Sequence, residues 1–246
     1  MGFDMDKTLV DCETLEAIAK EVGVLKEVEE ITQRAMNGEL DFREAVEKRL
    51  NLLKGFPKKR IIEIAKTIPL MPGAKELICK LKAEGFYPVI LTGGFDIVAK
   101  EIAKRLGIDE FYANKLETKK GILTGEFEIT VDKKRLLLDI AQKRKAHHIV
   151  AVGDGANDIP MLKAADIGIA FCAKPIVREE IKLAVNEKNM MKIWDILKPK
   201  DLKIVIDPTI HETAAKLLGQ VANIRVAKID TLKENIKKTA DVIVVR

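Results

Sequence analysis

The sequence is short of aromatic residues, of cysteine and histidine in ordered spacings, of long apolar runs and of any large excess of one charge. Each shortage closes off a class of function. Aromatic residues make up 4% of the 246, and no basic run is interleaved with them, so the composition of a nucleic-acid binder is missing. The 43 basic and 38 acidic residues are mixed along the chain and leave a net charge of only +5. Cys12, Cys79 and Cys172 are odd in number and far apart, which argues against a disulfide framework and a thiolate zinc site. His147, His148 and His211 lack the spacing of a ligand set. No apolar stretch approaches the roughly 20 residues needed to span a bilayer, and no leader pattern opens the chain. A cytoplasmic protein with no membrane or nucleic-acid partner is the expectation.

What remains is the composition of an ordinary globular chain, 47% hydrophobic and 33% charged. Residues 13–68 carry helical patterns only. Residues 13–21 are closed by Gly23 and residues 25–37 by Gly38. Asp41-Phe42-Arg43-Glu44 is a capping box opening a helix to about Leu53, and Pro57 can open a fourth. After Pro69 and Pro72 the pattern alternates. Apolar strands at 87–91, 149–152 and 167–171 are interleaved with helices at 73–83, 96–106, 133–145 and 190–197, and residues 111–131 read as a hairpin. The expected fold is α/β: a doubly wound, Rossmann-like parallel sheet over residues 1–198, with a small helical-bundle cap at about 13–70 inserted after the first strand. Beyond a linker at Lys198-Pro199-Lys200, residues 199–246 repeat the alternation as a short βαβαβ segment.

Three short stretches carry chemistry. Asp4 and Asp6 are two residues apart at the end of the first strand, a spacing that can aim both carboxylates into one site. Gly153-Asp154-Gly155-Ala156-Asn157-Asp158 breaks a buried strand into an acidic loop. Strands that end side by side in such loops build sites at the carboxyl edge of an open sheet. Thr92-Gly93-Gly94, after a strand and before a helix, offers a hydroxyl and bare amides to an anion, and Lys133 or Lys134 can add a fixed positive charge. Hard oxygen donors from Asp4, Asp154 and the Asp6 carbonyl suit magnesium. A carboxylate could then attack phosphorus, with a neighbouring acid protonating the leaving oxygen and later activating water.

The motifs FDMDKTLVDCE, LTGGFD, a Lys-led helix and VGDGANDIPML, in that order around a helical insert, resemble the phosphoserine phosphatase branch of the haloacid dehalogenase superfamily. The resemblance spans roughly residues 2–198. It implies Asp4 as nucleophile, Asp6 as acid and base, and an Mg2+ site formed by Asp4, Asp6 and Asp154 with Asp158 in support. It also implies that Thr92, Gly93 and Lys133 bind the phosphoryl oxygens and that Asn157 contacts the substrate. In the cap, Glu13 would meet the ammonium of O-phospho-L-serine, Arg49 its carboxylate, and Phe42 would close over it. The implied activity is hydrolysis to L-serine and phosphate, the last step of serine biosynthesis. The alternatives are phosphoryl transfer to another hydroxyl, such as that of homoserine, or a weakly active metabolite- or partner-binding protein. Three departures stand out: Thr92 where the family usually has serine, Lys7 where it has a small residue, and only three residues ahead of Asp4, a lead short enough to loosen the nucleophile.

The final segment is similar to the opening βαβαβ of D-3-phosphoglycerate dehydrogenase, in LKIVIDPTIHE, NIRVAKID and TADVIVVR. It has no glycine-rich dinucleotide loop, which excludes dehydrogenase activity. A segment this short hardly folds alone, so self-association or a protein partner is expected for it.

Overall fold

The computed structural model describes residues 1–36, 39–198, 204–206, 224–226 and 243–245. The chain divides into two compact units, residues 1–195 and 196–246.

The first unit is built on a seven-stranded sheet of order β4-β3-β2-β1-β5-β6-β7. Its strands are β1 (Gly2–Phe3), β2 (Val89–Phe95), β3 (Glu110–Lys119), β4 (Ile122–Glu128), β5 (Val150–Gly153), β6 (Ile167–Phe171) and β7 (Ala184–Val185). All neighbours are parallel except β3 and β4, which form the expected hairpin. Lys120 and Gly121 at its tip both take positive φ, as a two-residue hairpin turn requires. Burial on both faces explains the continuous apolar strands. Val89, Leu91 and Ala151 pack on one face against Leu137 of α7 (Lys133–Lys143), Met161 and Leu162 of α8 (Ile159–Ala164) and Val177 of α9 (Pro175–Glu180). The intervening Ile90 is fully buried on the other face.

Four helices are inserted between β1 and β2's approach: α1 (Thr14–Val22), α2 (Leu25–Met36), α3 (Phe42–Leu52) and α4 (Lys58–Thr67). Asp41 is the N-cap of α3, its side chain accepting from Glu44 N, one half of the expected capping box. Entry and exit of this insert are sewn together, Asp11 N donating to Pro69 O and Met71 N to Leu9 O. Its far end is tied to the hairpin through Gly55 N to Leu123 O and Lys58 N to Gly121 O. Arg105, from α6 (Asp96–Leu106), donates to Ala65 O and Ile68 O and so satisfies carbonyls at the end of α4. Helix α5 (Ala74–Ala83) packs against α6 and buries Leu77, Ile78 and Leu81, and α10 (Met191–Leu197) follows β7.

Several expectations need correction. Strand β2 starts at Val89 rather than 87, because Pro88 has no N–H for the ladder. It also runs on through Thr92–Phe95, read from sequence as a loop, with a register shift between Leu91 and Phe95. Helix α7 stops at Lys143, and Lys145 lies in the left-handed region. Short elements α8, α9 and β7 were not anticipated. The expected stop at Asn37-Gly38 lies outside the described residues.

In the second unit, β8 (Ile204–Ile206), β9 (Ile224–Val226) and β10 (Ile243–Val245) form a parallel three-stranded sheet of order β10-β8-β9. The two helices expected between them lie outside the described residues. Among the described residues, no helix is long and apolar enough to cross a membrane.

Candidate active site

Strand β1 is two residues long, yet it is held on both sides, pairing Gly2 with Val89 and with Ala151. Asp4 N continues the ladder to Val152 O at 2.9 Å. Phe3 and Met5 on either side of Asp4 are fully buried, each contributing on the order of 1.5–3 kcal/mol. The short lead therefore does not leave Asp4 loose. Its side chain, 5% exposed, meets Lys133 Nζ at 2.7 Å.

Lys133 opens α7 and bridges two carboxylates, reaching Asp158 Oδ1 at 2.6 Å as well. Asp158 is fully buried, and its second oxygen accepts from Asp154 N and Gly155 N at 3.1 and 3.0 Å. The approach needs glycine at 153, where a Cβ would lie 2.5 Å from the Asp158 carboxylate. Lys134 is exposed. Of the two lysines, Lys133 is thus the one that is buried and in contact with Asp4, while both line the cleft.

Oxygen atoms of Asp4, Asp154 and Asp158 lie within 4.8 Å of one another, a group able to hold a cation. All-oxygen, carboxylate-rich donors suit a hard divalent ion. Because the Asp158 oxygens already serve Lys133 and two amides, Asp4 and Asp154 are the donors with capacity to spare. The Asp6 carboxylate stands apart from this group. Its Oδ1 accepts from Thr14 N at 2.6 Å, the first amide of α1. Asp6 thereby caps the first cap helix, while Glu13, at the N-cap position, makes no capping hydrogen bond and lines the cleft instead. The Asp6 side chain is thus a link to the cap through Oδ1.

Burial dominates the electrostatics. It pushes the Asp4 carboxyl well above the usual range, against the pull of Lys133. Asp6 is pushed up to about 6 by burial first and by neighbouring Glu13 second. Asp154 also rises to about 6, through burial and Asp158, with Lys174 pulling the other way. Burial opposes the charge on Lys133, but Asp4 and Asp158 more than offset it and hold its pKa above the ordinary lysine value.

Among the described side chains, a cleft of about 490 Å3 takes in every sequence-predicted residue except Asp158. Thr92 is buried, its Oγ1 accepting from Gly94 N at 2.9 Å, and Asn157 is exposed at the rim. Gly94 lets the turn pass close to Asp6, whose Oδ2 would lie 3.1 Å from an added Cβ. On the cap side, Arg49 of α3 donates to Ala45 O at 3.1 Å and feels Glu13 and Glu16. Phe42 opens α3, and its side chain lies outside the described residues. Among the cleft residues not anticipated from sequence are the polar Asn114 and Lys174. Asn114 is one of several polar residues in β3 and is the one buried against the cleft. Lys174, preceding Pro175, donates its N–H to Asp154 O at 3.0 Å.

A family model described as haloacid dehalogenase-like hydrolase matches residues 1–163. The chain belongs to that family. Among haloacid dehalogenase-like relatives, the phosphoserine phosphatase of Methanocaldococcus jannaschii is 42% identical over 202 residues, spanning 80% of this chain and 96% of that protein. The phosphoserine phosphatase of Streptococcus thermophilus is 44% identical over 201 residues, spanning 79% and 94%. A solved phospho-aspartyl intermediate analogue of a phosphoserine phosphatase superposes with a TM-score of 0.73 at 40% identity, covering 80% of this chain and 97% of that one. A substrate-bound phosphoserine phosphatase complex gives the same TM-score, identity and coverage.

Proposed function

We propose that this chain hydrolyses O-phospho-L-serine to L-serine and phosphate through an aspartyl-phosphate on Asp4. The observation that carries the reading is the pairing of Asp4, gripped by Lys133, with a partly buried Asp6 whose pKa is pushed up to about 6. A general acid works best when its pKa lies near the operating pH. The relatives, which are phosphoserine phosphatases, support the choice of substrate.

Asp4 attacks phosphorus while the bond from phosphorus to the serine oxygen breaks and Asp6 delivers its proton to that oxygen. Ionised Asp6 then takes a proton from the water that attacks the aspartyl-phosphate. The acyl phosphate bond breaks, phosphate leaves and the Asp4 carboxylate is restored. Thr92, Gly93 and Lys133 hold the phosphoryl oxygens, and most of the rate enhancement in such transfers comes from positioning and charge. Glu13 receives the substrate ammonium and Arg49 its carboxylate, with Asn157 at the rim and Phe42 over the serine moiety. The donor set of Asp4, Asp154 and the Asp6 carbonyl fits Mg2+, which when bound would neutralise the charge between carboxylate and phosphate. Asp158 keeps the loop and Lys133 in place.

Residues 199–246, similar to the start of D-3-phosphoglycerate dehydrogenase, we read as an accessory segment that serves association rather than chemistry. The test of the main reading is phosphate release from O-phospho-L-serine with Mg2+ or with chelator. Release that needs the metal and disappears in Asp4→Asn is the expected result. A folded wild-type chain that releases no phosphate overturns it.

A further inference from the structure

Two glycines in a row leave the Thr92-Gly93-Gly94 turn with only the Thr92 side chain of its own to hold it. A second constraint comes from elsewhere. Asn114 lies in β3, opposite Phe95 across the register shift, and is 4% exposed at the wall of the cleft. Its Nδ2 donates to Gly93 O at 2.9 Å. Its Oδ1 accepts from Thr130 N at 3.0 Å and from Val131 N at 3.3 Å. The Thr130 hydroxyl adds a bond to Ala113 O at 3.0 Å.

These contacts join two parts of the site that are far apart in sequence. The peptide between Gly93 and Gly94 is fixed at both ends, its carbonyl by Asn114 and its N–H by Thr92 Oγ1. With an Oγ1 lone pair engaged in this way, the Thr92 hydroxyl proton is left to an acceptor in the cleft. On the other side, Val131 leads into Asp132, which caps α7 by accepting from Arg135 N, and then into Lys133. One amide therefore sets the spacing between the Thr92-Gly93 turn and the start of the helix that presents Lys133. Only an amide has a donor and a two-lone-pair acceptor in one rigid plane. Only one of its two orientations satisfies all three bonds, since the flipped group would set oxygen against Gly93 O and N–H against two N–H groups.

We propose that Asn114 is a positioning residue for the phosphoryl group, acting through Gly93 and the lead into Lys133. The inference deepens the phosphatase reading and rests on that reading's placement of the phosphoryl group. A misplacement of the turn by about 1 Å is enough to cost on the order of a hundredfold in rate.

The variant that isolates the effect is Asn114→Asp. It keeps an acceptor for Thr130 and Val131 but sets an oxygen against Gly93 O. Steady-state rates would be measured with O-phospho-L-serine and with p-nitrophenyl phosphate, together with the inhibition constant of inorganic phosphate and the melting temperature. The expected result is a fall in kcat/KM of about tenfold to a hundredfold for both substrates and a matching rise in the phosphate inhibition constant, with melting held within a few degrees. Asn114→Leu should show the same losses together with a lower melting temperature. Asn114→Ser, which shortens the reach without adding charge, takes the place of the aspartate variant if that one does not fold. A folded variant with an unchanged phosphate inhibition constant overturns the proposal, whether or not its rate falls. The aryl phosphate separates the two readings. Wild-type turnover of p-nitrophenyl phosphate without turnover of O-phospho-L-serine defeats the proposed substrate and leaves the Asn114 test intact.

Discussion

The floor of the cleft and its cap are built on different physical terms. On the floor, Asp4, Lys133 and Asp158 are 5, 8 and 0% exposed and joined by contacts of 2.7 and 2.6 Å. In the cap, Glu13 and Arg49 are only partly buried, and neither takes part in a salt bridge among the described residues. Arg49 instead donates to a carbonyl of its own helix. Burying a lysine between two carboxylates is a poor way to gain stability, because desolvation consumes much of the Coulombic attraction. It is a good way to hold a nucleophile still. The phosphoryl end of the site is organised in advance by close ion pairs, whereas at the serine end Arg49 feels Glu13 and Glu16 without a salt bridge among the described residues. Asp6 joins the two regions, with its backbone on the floor and its carboxylate on the first amide of α1.

The comparison can be broken or sharpened by substitution. The largest effect belongs to Asp4→Asn, which should lower turnover about 10^4-fold or more while the protein still melts cooperatively. Lys133→Met comes next. It leaves Asp4 and Asp158 buried without their cation and should cost about 3–5 kcal/mol of stability, read by denaturant titration, besides abolishing turnover. Arg49→Met and Glu13→Gln should behave in the opposite way. Each should raise KM for O-phospho-L-serine about tenfold to a hundredfold, spare p-nitrophenyl phosphate, and change stability by about 0.5 kcal/mol or less. If these cap variants slow both substrates alike, the division between the two regions fails.

A smaller effect concerns pH. Asp6 and Asp154 have folded pKa values of about 6, above their ordinary 3.8. The folded state therefore binds more protons than the unfolded one between those values, and the metal-free protein should lose stability as pH rises from about 4 to about 6. A divalent cation binds the ionised carboxylates, so the rise in melting temperature that Mg2+ produces should be larger at pH 7.5 than at pH 5. An equal shift at both would contradict the assignment of the Asp154 carboxylate to the metal. The smallest effect is expected from removing residues 199–246, which should leave kcat/KM within about twofold, as the floor and cap both lie in the first unit.

Much of this was legible in the residues. Asp4, Asp6 and the Gly153–Asp158 loop announce themselves because strand ends and glycines leave few other uses for so many carboxylates. The cap helices were legible because Asp41 and Gly23 mark their ends. What escaped reading depends on tertiary contacts. A glycine pair reads as a strand breaker, yet the sheet carries β2 through Thr92–Phe95 on a register shift. Helices α8 and α9 have six residues each, too few to show a period. Asn114 looks like any polar residue in a strand, and its three bonds to distant backbone exist only once the sheet has formed. The bond from Thr14 N to the Asp6 carboxylate was also hidden, because the spacing of Asp4 and Asp6 gives no sign of the first amide of α1.

The most direct test is to quench the enzyme during turnover of phosphoryl-labelled O-phospho-L-serine and locate the label by peptide mass spectrometry. The account predicts label on Asp4, formed in an initial burst and absent from Asp4→Asn. Full turnover with no covalent label on Asp4, or label on another residue, would contradict it.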